Sequence, residues 1–215
     1  MRALLLGNSQ IICNCNLPQM VRRLSASSSD SRAKLDVHEV VIGGASIEKL
    51  WDDGRPRAAV EGGKWNWVLC HEIVYAYGGN GARLREYGLK FNEAAKDSGA
   101  RVIFYASGDI EGKKDNHEPM YRDALALARE CNGRVAGGGM AWLKAWPMRP
   151  ELDFHCADRA HASELGYYLN ACVIFSALTD CSPVGLDACD LKKDDAQFLQ
   201  QIAWEQYQED RRNEA

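Results

Sequence analysis

Short apolar runs recur along the chain and predict the strands of a sheet. They lie at residues 2–6, 35–42, 65–70 and 101–106, and a shorter run surrounds Val135. The first run ends at Gly7-Asn8-Ser9 and the second at Gly43-Gly44, and both endings are typical of turns that follow a strand. The pattern therefore predicts a sheet of five strands.

Segments with apolar residues at helical spacing lie between and after these runs. They predict helices at residues 17–24, 46–51, 84–95, 120–131, 165–178 and 196–207. Ser46 is the expected N-cap of the second helix, and residues 209–215 are expected to form a charged tail. Strands that alternate with helices indicate an open parallel sheet with helices on both faces, formed by a single domain over residues 1–215.

The composition excludes several classes of function. The chain has 215 residues, of which 46% are hydrophobic and 26% are charged, and its formal net charge is -4. Basic residues are not clustered as nucleic-acid binding requires, and no apolar run approaches the roughly 20 residues that cross a bilayer. The apolar stretch at the N-terminus stops at Gly7, short of the roughly 7–15 residues of a secretory signal core. This favours a cytoplasmic protein.

Eight cysteines allow two interpretations. They are Cys13, Cys15, Cys70, Cys131, Cys156, Cys172, Cys181 and Cys189. Several lie within apolar segments and no export signal precedes them, which favours reduced thiols in the core over a disulfide framework. No Cys-x-x-Cys pair is present to indicate a zinc ribbon or a redox site. A metal site on Cys13, Cys15 and a distant histidine is the alternative.

Ser9 is a candidate nucleophile because it follows the first predicted strand. Parallel sheets bind ligands beyond the carboxyl ends of their strands, so Ser9 is expected to face the ligand crevice. A serine hydroxyl is weakly nucleophilic unless a neighbouring base removes its proton. The alternative is that Gly7-Asn8-Ser9 forms only a structural turn or a helix cap.

Asp158 and His161 are candidates for the orienting acid and the base. A carboxylate three residues before a histidine can hydrogen-bond its ring, fix the tautomer and stabilise the imidazolium. The alternative is a surface pair that caps a helix. Asp153 and His155 form a competing pair two residues apart, which no predicted helix anchors.

Two further segments at the same edge of the predicted sheet carry candidate oxyanion donors. The N–H groups freed at Gly43-Gly44-Ala45-Ser46 can hold an oxyanion, or the segment can be a simple strand-to-helix connection. His71, after the third strand, can donate to an oxyanion or be a structural histidine of the core. Glu72 can be a second acid of the site, but a buried salt-bridge partner is the favoured interpretation.

Two segments at opposite ends of the chain resemble sequence blocks of the SGNH/GDSL hydrolase superfamily. Leu4-Leu5-Leu6-Gly7-Asn8-Ser9 is similar to the first block, a strand followed by Gly-Asp-Ser or Gly-Asn-Ser. Residues 158–169 are similar to the last block, Asp-x-x-His-Pro-Ser-x-x-Gly-x-x-Leu. Within the superfamily, residues 65–72 resemble a bacterial branch with a strand of the form Trp-Asp-x-Val-Val-Leu-Gln-Glu. Residues 178–186 resemble the segment after the final helix of that branch.

The resemblance implies a three-layer α/β/α flavodoxin-like sandwich with a five-stranded parallel sheet. It implies Ser9 as the nucleophile, His161 as general base and then acid, and Asp158 as the residue that orients the imidazole. The oxyanion hole would consist of the N–H groups of Ser9 and Gly44 and a side chain from the third block, where His71 is the available donor. No metal or organic cofactor is implied.

The chain departs from the family pattern at three positions. The third block lacks the asparagine that usually completes the oxyanion hole, and His71 stands where the bacterial branch has glutamine. Ala162 replaces the proline after the histidine, which should alter the helix entry without changing the chemistry. Gln10 replaces a more usual hydrophobic residue after the serine and is expected near the mouth of the pocket.

These features predict a serine esterase that hydrolyses a small, acetyl-like ester through an acyl-enzyme. A carbohydrate ester is a candidate substrate, because one or two of the six tryptophans could line a sugar or acyl pocket while the rest occupy the core. Two alternatives stay open. One is a non-catalytic ligand-binding protein on the same fold, and the other is an acyltransferase that uses the same three residues.

Overall fold

Five parallel strands form one sheet in the order β2-β1-β3-β4-β5. The computed structural model describes residues 1–215. The strands are β1 (Arg2–Gly7), β2 (Asp36–Val41), β3 (Trp67–His71), β4 (Arg101–Tyr105) and β5 (Arg134–Ala136). Strand β1 lies between β2 and β3, so the loops that follow these three strands meet at one edge of the sheet.

Eight α-helices connect and cover the strands. They are α1 (Leu17–Ser27), α2 (Ile47–Asp53), α3 (Arg55–Gly62), α4 (Gly81–Asp97), α5 (His117–Glu130), α6 (Gly138–Met148), α7 (Glu164–Thr179) and α8 (Lys193–Glu214). Helices α1, α6, α7 and α8 pack on one face of the sheet, and α2 to α5 pack on the other. The result is the predicted three-layer α/β/α sandwich.

The alternation of side chains along β1 explains why both faces need a cover. Ala3 and Leu5 point into one hydrophobic core, whereas Leu4 and Leu6 point into the other, and all four are buried. A strand that is apolar on both faces can be stable only between two helical layers. The predicted cap of α2 is also present, because the Ser46 hydroxyl accepts the N–H of Lys49.

Two helices were not predicted from the sequence, and physical reasons account for both. Helix α3 buries only Pro56 and Val60, so it has almost no apolar period. Helix α6 begins with glycines and contains Pro147, which are poor helix formers. Its close packing needs the glycine at 139, where a Cβ would lie 2.5 Å from the carbonyl oxygen of Ser107.

Two other predictions were wrong in detail. The expected charged tail at 209–215 is helical as far as Glu214, because α8 continues with one side packed on the body and buries Asp210. The predicted strand at residues 65–70 would place Trp65 and Trp67, two positions apart, on the same face, but they do not share one. Trp65 lies before β3 and packs in the core of α2 to α5, whereas Trp67 packs in the opposite core. None of the helices combines the length and the apolar character needed to cross a membrane.

Candidate active site

The loop after β1 presents Ser9 at the carboxyl edge of the sheet. Gly7 ends the strand, and a Cβ there would lie 2.4 Å from the end of the Ile11 side chain, which would have to move. Asn8 is buried and its Oδ1 accepts the N–H of Gln10, which closes a tight turn around Ser9. The Tyr167 hydroxyl donates to the carbonyl oxygen of Ser9 at 2.6 Å. The serine is therefore held on both sides by groups of the core.

The loop before α7 carries Asp158 and His161. His155 and Ala162 form an isolated antiparallel bridge at its base, and the N–H of Cys156 donates to the carbonyl of His161 at 2.9 Å. This pairing folds the segment back on itself, so that both candidate side chains project from one short turn.

Helix α7 begins directly after this loop and fixes its base. Ser163 is the N-cap and accepts the N–H of Gly166. A Cβ on Gly166 would lie 2.5 Å from the carbonyl of Phe154, so glycine is required for the helix to pack this closely. The apolar helix is buried along its whole length after the first two residues, and it provides a rigid base for the histidine.

The structure brings Ser9, His161 and Asp158 into one hydrogen-bonded chain. The Ser9 hydroxyl lies 3.0 Å from His161 Nε2, and His161 Nδ1 lies 2.7 Å from Asp158 Oδ2. A carboxylate can only accept, so the ring proton is on Nδ1 and the lone pair is on Nε2. Nε2 can therefore take the proton of the serine hydroxyl, which is the geometry that activates a serine nucleophile.

The Asp158 carboxylate is held by four donors. Its Oδ1 accepts the Cys156 thiol at 3.0 Å and the N–H groups of Ala160 and His161 at 2.9 Å each, and its Oδ2 accepts the ring of His161. The thiol hydrogen bond, followed by those of His161, holds the pKa of Asp158 far below its usual range. Asp158 is therefore ionised near neutral pH, and Oδ2 is available to the imidazole.

Two residues that line this site have backbone N–H groups without an acceptor in the chain. Neither the Ser9 N–H nor the Gly44 N–H donates a hydrogen bond, and both residues line the same cavity. The Asn8 side chain donates to the carbonyl of Ala45 at 2.9 Å and so ties the two loops together. Gly44 has a φ of +65°, a conformation that glycine adopts at little cost. Free, fixed N–H donors of this kind can hold an oxyanion.

The geometry does not supply the third donor that was expected from His71. The ring is completely buried and lies outside the cavity that contains Ser9. Its Nδ1 lies 3.0 Å from the carbonyl of Tyr105, which places the proton on Nδ1 and leaves Nε2 without one. Burial lowers the pKa of His71 to about 4, so the ring is neutral near pH 7. His71 is therefore a structural histidine of the core.

Glu72 has the structural role predicted for it, and it supports the Gly44 loop. Its carboxylate is buried, pairs with the Arg83 guanidinium, and accepts the N–H of Ile47 at 3.0 Å. Burial raises the pKa of Glu72, whereas Arg83 opposes that rise. Because Ile47 is the first residue of α2, this bond fixes the helix that follows Gly44.

A cavity of about 290 Å³ opens beside the serine hydroxyl. Its lining residues are Asn8, Ser9, Gln10, Gly44, Ile73, Val74, Tyr77 and His161. Gln10 lies at this cavity as predicted, and its side chain donates to the carbonyl of Ala160 at 3.1 Å. Tyr77 is 54% exposed at the edge of this cavity. The cavity is thus small and partly apolar.

The competing pair Asp153 and His155 is not joined to the serine. His155 Nε2 donates to the carbonyl of Asp109 at 3.0 Å, and one oxygen of Asp153 accepts the N–H of His155. Both residues line a second cavity of about 490 Å³, which contains neither Ser9 nor His161. No group of three or more His, Cys, Asp or Glu side chains is arranged to hold a metal ion.

Three residues of the site were not singled out from the sequence. Asn8 was read only as part of a motif, although its two hydrogen bonds fix both loops. Tyr167 and Cys156 were also overlooked, because a tyrosine in an apolar helix and a cysteine in a polar loop carry no distinctive pattern. Only the folded contacts with Ser9 and Asp158 reveal them.

Solved structures with a similar fold come from several bacteria. A candidate SGNH hydrolase from Slackia heliotrinireducens superposes with a TM-score of 0.66 at 23% identity, covering 83% of this chain and 98% of that chain. A DUF4886 family protein from Bacteroides uniformis gives a TM-score of 0.65 at 16% identity, and the alignment covers 95% of this chain and 93% of that chain. An acetylxylan esterase from Geobacillus stearothermophilus gives a TM-score of 0.61 at 17% identity, and the alignment covers 82% of this chain and 93% of that chain.

These similarities establish the fold. No protein-family profile matches the sequence, and no curated protein is similar to it in sequence. The likeness therefore lies in the three-dimensional arrangement and extends over most of the chain. The fold is shared with solved structures described as an SGNH hydrolase and a GDSL-like lipase, which agrees with the fold predicted from the first and last sequence blocks.

Proposed function

We propose that this protein is a serine esterase that forms an acyl-enzyme on Ser9. His161 acts as general base and then as general acid, and Asp158 orients its ring. One observation carries the proposal, namely the continuous hydrogen-bonded chain from Asp158 through His161 to the Ser9 hydroxyl. The esterases among the structures of similar fold support the same class of reaction.

The reaction follows from the positions of the protons. The Ser9 oxygen attacks the ester carbonyl carbon while its proton moves to His161 Nε2, and Asp158 stabilises the resulting imidazolium. The carbonyl oxygen becomes an oxyanion, for which the N–H groups of Ser9 and Gly44 are the proposed donors. Collapse of this intermediate breaks the ester bond, and the imidazolium gives its proton to the leaving alcohol.

The second half of the reaction releases the acyl group. Water enters where the alcohol left, and His161 takes one of its protons as the oxygen attacks the acyl carbon. The new intermediate breaks the bond to Ser9, which regains its proton from the imidazolium. The products are a carboxylic acid and an alcohol, and the protein returns to its starting state.

A small acyl group on a carbohydrate is the proposed substrate class. The cavity beside Ser9 is about 290 Å³ and combines Ile73 and Val74 with the exposed ring of Tyr77. An acetyl group needs only a small apolar pocket, and an exposed aromatic face is a common platform for a sugar ring. Acetylxylan and acetyl-xylooligosaccharide esterases occur among the similar structures, which supports the same choice.

A purely ligand-binding role is less consistent with the site. A binding protein gains nothing from a histidine whose tautomer is fixed by Asp158 and whose free nitrogen faces a serine hydroxyl. Acyl transfer to a sugar or alcohol uses the same acyl-enzyme, and only its product, a new ester in place of a free acid, distinguishes it from hydrolysis.

The test is hydrolysis of acyl esters of increasing chain length by the wild type and by Ser9→Ala. We expect acetyl esters to be cleaved faster than butyryl and octanoyl esters, and Ser9→Ala to be inactive on all of them. Full activity of Ser9→Ala would refute the mechanism. A product ester formed faster than free acid when xylooligosaccharide or glycerol is added would identify a transferase.

A further inference from the structure

The three cysteines that are not buried lie in two loops that meet beside the proposed catalytic residues. Cys70, Cys131, Cys172, Cys181 and Cys189 are buried, whereas Cys13 is exposed and Cys15 and Cys156 are partly exposed. The N–H of Cys13 donates to the carbonyl of Cys15 at 3.3 Å, which closes a tight turn with Asn14 at its tip. The Asn14 side chain then donates to the Cys156 sulfur at 3.1 Å. The loop after β1 thus reaches the loop before α7.

Cys156 links this contact to the carboxylate. Its sulfur lies 3.0 Å from Asp158 Oδ1, and a carboxylate requires the thiol to be the donor. Because Asn14 donates to the same sulfur, the lone pairs of the sulfur are engaged on one side and its hydrogen points to Asp158. The hydrogen-bonded chain therefore continues from Asn14 through Cys156 to Asp158, and from there to His161 and Ser9.

The thiol is the one side-chain donor on Asp158 Oδ1. The other two donors to this oxygen are the backbone N–H groups of Ala160 and His161, which no side-chain change removes. A thiol is a weak donor, and it differs from a hydroxyl in that it can be converted to a disulfide. After that reaction the sulfur has no hydrogen to donate. The position thus couples thiol chemistry to the orientation of a carboxylate.

We propose that Cys156, oriented by Asn14, is a positioning residue for Asp158 and a thiol-modification site at which low-molecular-weight disulfides inhibit the reaction. This inference rests on the proposed esterase function. The Cys156 thiol must first leave Asp158 and give its proton to water. The resulting thiolate attacks one sulfur of a disulfide such as glutathione disulfide, whose S–S bond breaks as the bond to Cys156 forms. The Cys156 thiol is oxidised, and one glutathione is released in reduced form and takes up the proton that Cys156 lost.

Modification at Cys156 disturbs the site in two ways. The hydrogen bond to Asp158 Oδ1 is lost, and the added group occupies space where Asn14 now approaches the sulfur to 3.1 Å. The two loops must separate, and the turn that carries Asp158 and His161 moves with them. A displacement of about 1 Å at a catalytic group can lower a rate by up to about a hundredfold. We expect kcat to fall by at least about tenfold, with a smaller change in KM.

The other two exposed or half-exposed thiols serve as internal controls. Cys13 is the most exposed thiol, so it is open to modification, but its sulfur makes no hydrogen bond to a proposed catalytic residue. Burial raises the pKa of the Cys15 thiol, with smaller contributions from Glu164 and the neighbouring thiols, and this slows its reaction. Modification at either position should leave Asp158 in place.

The experiment treats the wild type, Cys156→Ser and Cys13→Ser with glutathione disulfide and follows kcat, KM and the modified peptides by mass spectrometry. We expect the wild type and Cys13→Ser to lose activity as the Cys156 peptide gains glutathione, and dithiothreitol to restore it. Cys156→Ser keeps a hydroxyl donor and should be active and resistant. The proposal would be overturned if Cys156→Ser lost activity on treatment with glutathione disulfide, or if wild type modified at Cys156 kept full activity. It would also be overturned by a wild type that gains no glutathione at Cys156.

A second measurement separates this proposal from the esterase proposal. The ring signals of His161 in nitrogen-15 NMR report its hydrogen bond to Asp158 whether or not the protein hydrolyses an ester. We expect them to shift on modification of Cys156 and in Cys156→Ala, and much less in Cys156→Ser. Unchanged ring signals in modified protein would refute the positioning role. A shift in a protein that hydrolyses no ester would refute only the esterase function.

Discussion

The Ser9 hydroxyl lies 3.0 Å from His161 Nε2, although the two residues are 152 positions apart in the sequence. They meet because each is fixed to the core independently. Tyr167 holds the carbonyl of Ser9, and the Ser163 cap fixes the turn that carries His161. Since both supports belong to the start of α7, this helix sets the distance between the proposed nucleophile and its base.

Replacing Asp158 should stop turnover without unfolding the protein. In Asp158→Asn, the side-chain amide can donate to His161 Nδ1, which favours the tautomer with the proton on Nε2. That nitrogen then cannot accept the proton of Ser9, and we expect kcat to fall by about a thousandfold or more with little change in KM. Steady-state kinetics measures this. The matched control is Asp52→Asn, an exposed residue on α2, which should retain wild-type rates. Equal activity of the two variants would contradict the role of Asp158.

The buried pair of Glu72 and Arg83 should contribute strongly to stability. Their side chains are 5% and 22% exposed, and Arg83→Ala leaves the Glu72 carboxylate buried without its partner. We expect the free energy of unfolding to fall by about 3 kcal/mol, as for other broken buried pairs. Urea unfolding measures the change. The control is Arg85→Ala on the same helix, whose exposed pair with Glu130 should be worth less than about 1 kcal/mol. Equal losses would show that burial does not determine the effect.

Tyr77 should govern the affinity for the substrate rather than the chemical step. Its ring is 54% exposed at the cavity, so Tyr77→Ala removes an aromatic contact without opening the core. We expect KM for an acetylated sugar to rise by about tenfold while kcat changes little, and Tyr77→Trp to restore most of the loss. A lower kcat with unchanged KM would instead place Tyr77 at the reacting atoms. Thermal unfolding should be the same for all three proteins.

Asp210 should make the protein less stable as the pH rises through mildly acidic values. Burial raises the pKa of this carboxyl group to about 7, well above its usual value of 3.8. Between these values the folded state holds a proton that the unfolded state has released, so the free energy of unfolding falls as pH increases. The slope from one group is at most about 1.4 kcal/mol per pH unit. Above pH 7 both states are ionised and the contribution is constant.

Comparison with Asp210→Asn isolates this effect from that of the buried histidines. Burial lowers the pKa of His71 and His117 to about 4 each, so these two residues make the protein more stable as the pH rises from about 4 to 6.5. Asparagine keeps an acceptor for the N–H of Gly137 and cannot ionise. We expect the difference in unfolding free energy between variant and wild type to increase from pH 4 to pH 7. A constant difference would contradict the raised pKa.

The first and last sequence blocks were enough to predict the fold and the three proposed catalytic residues. Gly7-Asn8-Ser9 and Asp158-Arg159-Ala160-His161 are local patterns, and each forms its turn from its own hydrogen bonds. Helices α3 and α6 escaped prediction because packing, and not apolar period, stabilises them. His71 was read as an oxyanion donor from its position in the chain, but the hydrogen bond to Tyr105 that fixes its proton joins neighbouring strands. Contacts of this kind leave no local pattern.

The most direct test of the account is the reaction of the folded protein with a fluorophosphonate probe, followed by intact-mass analysis of the wild type, Ser9→Ala and Ser29→Ala. Such probes phosphonylate a serine that a neighbouring base has activated. We expect one adduct on the wild type and on Ser29→Ala, because Ser29 is an exposed serine that lies outside the site, and none on Ser9→Ala. A folded wild-type protein that gains no adduct, or an adduct that persists in Ser9→Ala, would contradict the assignment of Ser9 as the nucleophile.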